Sequence, residues 1–60
     1  MEHRIAVFKQ LAYMHDLLKV LNNTIVFWLE CRDYEAVQEV ESQIVQAKNR
    51  IIELEAEVCL

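Results

Sequence analysis

The sequence predicts an all-α fold: an antiparallel two-helix hairpin, coiled-coil-like, assembling as a four-helix bundle dimer or a higher oligomer. Three observations predict it. The 60 residues include no Gly and no Pro, so the chain lacks both the easy positive-φ residue and the strong helix breaker. Tight β-hairpin turns want Gly, Asn or Asp, so a β fold of this size without Gly is not expected. Two runs of apolar residues recur at alternating spacings of three and four, the mark of a heptad seam. Finally, the two runs are out of phase with each other.

The first helix is expected over about residues 3–30. Its seam is Val7, Leu11, Met14, Leu18, Leu21, Ile25 and Trp28. One narrow polar stripe accompanies it: Glu2, Lys9, Asp16, Asn23 and Glu30. The rest of the surface is largely apolar. Ala6, Tyr13, Val20 and Phe27 lie beside the stripe on one flank, and Ile5, Phe8, Ala12, Val26 and Leu29 on another. A helix that is apolar nearly all round is a buried helix. One partner helix covers one face, so this helix must meet more than its hairpin mate. Phe8, Tyr13, Val20 and Phe27 are the candidate partner or oligomer face, since aromatic residues concentrate at binding hot spots. Trp28 is read as core near the turn.

A turn is expected at about residues 30–33. Continuing the first seam lands on Arg32, Glu35 and Glu39, all charged, so a single straight helix would rotate its stripe into water. Asp33 is a good N-cap residue, and Glu35 suits the positive end of a new helix. Without Gly, ordinary residues must make the turn. The alternatives are one long bent helix and a break at Asn22-Asn23-Thr24, which are weak helix formers.

The second helix is expected over about residues 34–59. Its seam is Val37, Val40, Ile44, Ala47, Ile51, Leu54 and Val58. Glu41, Gln43, Lys48, Arg50, Glu55 and Glu57 flank it, and Glu39, Ser42, Gln46 and Asn49 face outward, as in an ordinary coiled-coil strand. The helix ends in Glu53, Glu55 and Glu57, unfavourable at its own negative end. An antiparallel hairpin sets those carboxylates beside His3, Arg4 and the N-terminal amine. The whole chain then reads as one domain, residues 1–60. Domains this small are marginal alone and add disulfides, a metal or oligomerisation.

Other function classes find little support. The formal net charge is −4 with a pI near 5.0, against the basic surface that nucleic acids or anionic membranes require. The Asp and Glu residues of the second helix are read as a solvated face. The N-terminus shows no signal-peptide pattern, and no apolar run approaches the roughly 18 residues of a membrane span. The expected setting is cytoplasmic, with no membrane partner. Cys31 and Cys59 fall at opposite ends of a hairpin, too far apart to bond internally, and are expected as reduced thiols. His3 and His15 have no ligand-spaced neighbour, so neither metal nor cofactor is expected. His15, beside Leu11 and Leu18, is read as a half-buried helix-face residue. No pocket for a general acid or base is foreseeable, and no enzyme is expected.

In length and layout the chain resembles the small plasmid RNA-binding regulators of the Rop type, whose helical hairpins dimerise as four-helix bundles. No residue motif is shared, and the acidic balance departs from an RNA-binding face, so the nucleic-acid role the resemblance implies is the least favoured. The functional expectation is a non-enzymatic protein-interaction module, a regulator or inhibitor that acts as a homo-oligomer on a protein partner. The alternative is a structural or assembly subunit of a larger helical complex.

Overall fold

The computed structural model describes residues 2–58. Two α-helices occupy nearly all of them: α1, Glu2–Glu30, and α2, Tyr34–Val58. They pack against each other as a hairpin, and no strand occurs among the described residues. Helix α1 runs unbroken through Asn22-Asn23-Thr24. The Thr24 hydroxyl donates back to the Val20 carbonyl at 2.8 Å, which satisfies a polar side chain without ending the helix. Cys59 lies outside the described residues, as does the N-terminal amine.

The turn shows how a chain without Gly reverses direction. Arg32 adopts φ 59°, the left-handed conformation usually given to Gly just past a helix end. The Arg32 N–H donates to the Leu29 carbonyl at 3.1 Å and the Asp33 N–H to the Trp28 carbonyl at 3.0 Å. These are the two bonds of a Schellman motif, and they satisfy carbonyls that the end of α1 would otherwise orphan. Asp33 then opens the next helix. Its Oδ1 accepts the Ala36 N–H at 3.1 Å, and its carbonyl accepts the Val37 N–H at 3.1 Å. One residue therefore closes α1 and caps α2.

Burial follows the heptads. Val7, Leu21, Val37, Val40, Ala47, Ile51 and Leu54 are buried. The remaining seam residues, Leu11, Met14, Leu18, Ile25, Trp28, Ile44 and Val58, are half-buried. Met14, Leu18, Ile25, Trp28 and Ile44 pack on the central cluster of Leu21, Val40 and Ala47. The result is a rod of 46 × 14 × 11 Å. Its radius of gyration, 14.0 Å, exceeds the roughly 10.4 Å of a compact 60-residue chain. Two helices enclose one seam and leave everything else at the surface.

Two polar contacts mark the register. Arg50 Nη2 donates to Gln10 Oε1 at 3.2 Å, and His3 Nε2 stands 3.5 Å from Glu57 Oε1, an ion pair when the imidazole is protonated. His3 thus meets the acidic end of α2, the encounter that an antiparallel hairpin requires. Arg50 also bonds Glu53 at 3.1 Å. In antiparallel coiled coils the residues just before one class of seam position face each other along one edge, and those just after seam positions share the other edge. Gln10, Arg50, His3 and Glu57 mark the first edge. The second edge is defined by elimination.

Candidate interaction surface

The two edges of the hairpin differ. Outside the seam, Leu17, Thr24 and Ala36 are the half-buried residues among those described, and all three lie on the edge marked by Gln10 and Arg50. On the opposite edge every described residue that follows a seam position is exposed. We call these the closed and the open edge. Leu17 joins Met14, Leu21, Gln43, Gln46 and Ala47 around a shallow depression of about 230 Å³ on the closed edge. A second open depression of about 330 Å³ is lined by Val20, Asn23, Thr24, Phe27 and Trp28. Neither lining includes a titratable side chain. No group of three or more His, Cys, Asp or Glu is placed to hold a metal among the described residues, and no helix is long and apolar enough to cross a membrane.

Among the described residues, ten large apolar side chains are 47–65% exposed. Seven belong to α1. Tyr13, Val20 and Phe27 form an aromatic flank beside the polar stripe, and the Phe27 ring meets Trp28 edge-on, with centroids 5.0 Å apart and planes at 72°. Ile5, Phe8, Val26 and Leu29 lie across the stripe, on the open edge. Thus the four aromatic and aliphatic residues singled out from sequence are all exposed, but the fold groups them as three and one: Tyr13, Val20 and Phe27 together, and Phe8 apart.

The other three exposed apolar residues are on α2: Tyr34, Val45 and Ile52. They also lie on the open edge, so that both helices contribute to one continuous face. Sequence reasoning took α2 for an ordinary coiled-coil strand and passed over them. The signal was present in the doublets Ile44-Val45 and Ile51-Ile52. Each sets a second apolar residue one step past the seam, and the two repeat at a spacing of seven.

His15 is exposed rather than half-buried. It follows Met14 on the seam and so falls on the open edge, where no hairpin neighbour covers it. Cys31 is exposed in the turn.

No family model, curated protein or solved structure matches this chain. The surface itself is therefore what a functional reading must start from.

Proposed function

We propose that the hairpin is a non-enzymatic protein-interaction module, a regulator or inhibitor, whose partners cover the apolar outer faces of α1. One observation carries the reading. Seven large apolar side chains of α1 are about half exposed, on two flanks that α2 does not reach. Monomeric soluble proteins rarely leave contiguous apolar patches beyond a few hundred Å² uncovered. The module therefore works as part of an assembly, through side-by-side helix packing.

The test truncates both flanks at once. A variant carrying Phe8→Ala, Tyr13→Ala, Val26→Ala and Phe27→Ala changes no seam residue and adds good helix formers. It is expected to keep its helical far-UV spectrum while losing association, read as solution mass and as retention of other proteins from an extract of its own source cells. A variant that assembles and binds as the parent does would refute the reading. A parent chain that is insoluble until co-expressed with another helical protein would point to the permanent assembly subunit instead.

A further inference from the structure

We propose that the open edge of the hairpin is a self-association surface whose occupant is a second copy of this chain. The proposal rests on the reading just given, that protein covers the outer faces, and it names the protein and the face.

Charge selects the occupant. The charged residues that follow seam positions on the open edge are Lys19 and Lys48, offset by Glu41 and Glu55. The edge is formally neutral, and the chain's net charge of −4 sits on its other surfaces. Two acidic rods repel across those surfaces and meet without net repulsion here. On the closed edge and the outer side of α2, Glu39, Glu53 and Glu57 outnumber Arg50, so no such balance is offered there.

Pattern agrees. A two-fold contact pairs a patch with itself, so the patch must be complementary to its own image. The Gln10–Arg50 and His3–Glu57 contacts put Phe8 level with Ile52, and Val26 level with Tyr34. The open edge therefore carries an apolar pair toward each end, with Glu55 beyond the first pair, and a mixed belt of His15, Lys19, Glu41, Val45 and Lys48 between them. A second copy laid antiparallel along it meets apolar pair with apolar pair and belt with belt. With the copies antiparallel, Lys19 and Lys48 each come within about one turn of the other copy's Glu41 along the axis.

Area agrees as well. The hairpin exposes 4848 Å², where a compact chain of its 7.1 kDa mass exposes roughly 4,100 Å². The excess, roughly 750 Å², is of the order of the roughly 800 Å² per partner of a standard interface, so the rod exposes enough surface to supply one. The aromatic flank of Tyr13, Val20 and Phe27 stays outside this contact, free for a different protein.

The experiment uses the unaltered chain under reducing conditions. Sedimentation equilibrium gives its mass across a wide concentration range. Hydroxyl-radical footprinting, above and below the association range, reads the aromatic side chains. Phe8 and Tyr34 lie on the open edge, and Tyr13 and Phe27 off it. The expected result is a dimer in which Phe8 and Tyr34 become protected while Tyr13 and Phe27 stay reactive. Phe8→Gln with Ile52→Gln is then expected to weaken dimerisation at least 100-fold, and Tyr13→Gln with Phe27→Gln to leave it unchanged. A single-hairpin mass at every concentration would overturn the proposal, as would protection confined to Tyr13 and Phe27. Such a monomer, still binding another protein through the aromatic flank, would remove the second copy and leave the interaction module standing.

Discussion

Replacing Arg32 with glycine tests the account of the turn. Arg32 is held at φ 59°, where a side chain's Cβ crowds the following carbonyl at a cost of roughly 1–2 kcal/mol. Glycine has no such cost, but its unfolded chain has more freedom to lose, worth roughly 0.5–1 kcal/mol. Near the middle of both ranges the difference predicts a net gain of about 0.5–1 kcal/mol for Arg32→Gly. Little is lost in exchange. The side chain is exposed, and both turn bonds are donated by backbone N–H groups, of Arg32 and Asp33, that the substitution keeps. For a domain of this size 1 kcal/mol moves the midpoint by about 4–8 °C, so a rise of roughly 2–8 °C is expected. The assay is thermal unfolding followed by far-UV circular dichroism at one fixed protein concentration, since association also shifts the midpoint. Arg32→Val serves as the control. A β-branched residue is a genuine outlier in this conformation, and the midpoint should fall. A midpoint for Arg32→Gly that is unchanged or lower, with Arg32→Val equal to the parent, would refute the left-handed turn.

Three further perturbations separate cap, core and surface. Asp33→Ala removes the acceptor for the Ala36 N–H and should cost about 1 kcal/mol, measured by urea denaturation. Leu54→Ala empties the most deeply buried side chain, 1% exposed, and should cost about 2–5 kcal/mol. That is about half of the whole stability of a 60-residue domain, roughly 3–9 kcal/mol, so the variant's urea midpoint should fall further than that of any other substitution named here. Arg50→Met severs the contacts to Gln10 and Glu53 but keeps most of the aliphatic stem. Both contacts are at the surface, where such pairs contribute about 0–1 kcal/mol, and a midpoint shift larger than Asp33→Ala gives would show that the register depends on them.

The two-helix fold was legible because a phase slip is hard to hide. A seam that alternates three and four over Val7–Trp28 and then meets Arg32, Glu35 and Glu39 leaves few choices, and Asp33 supplied the cap type. The means of reversal was less legible. Propensity points to Gly, Asn or Asp for a left-handed residue, and nothing in the local sequence marks Arg32 for that role. Only the bonds from Arg32 and Asp33 back to Leu29 and Trp28 reveal it. The candidate surface was half legible. The excess of apolar residues on α1 stands out in the sequence. The contribution of α2 does not, because Val45 and Ile52 are diluted among Glu, Gln and Lys. That they share an edge with Phe8 and Val26 depends on which sides of two different helices come together. That is a property of handedness and antiparallel sense, and neither is written in any short window of sequence.

The doubled duty of Asp33 leaves the connection with no spare residue. A loop of ordinary length absorbs an insertion by bulging outward. Here an added or deleted residue between Trp28 and Val37 must either break the Schellman pair or swing α2 about its axis by about 100°, carrying Val40, Ala47 and Leu54 off the seam. At the far end of the rod, by contrast, whole heptads added or removed in matched pairs would leave the seam in phase. The reversal point sets the phase of everything that follows it.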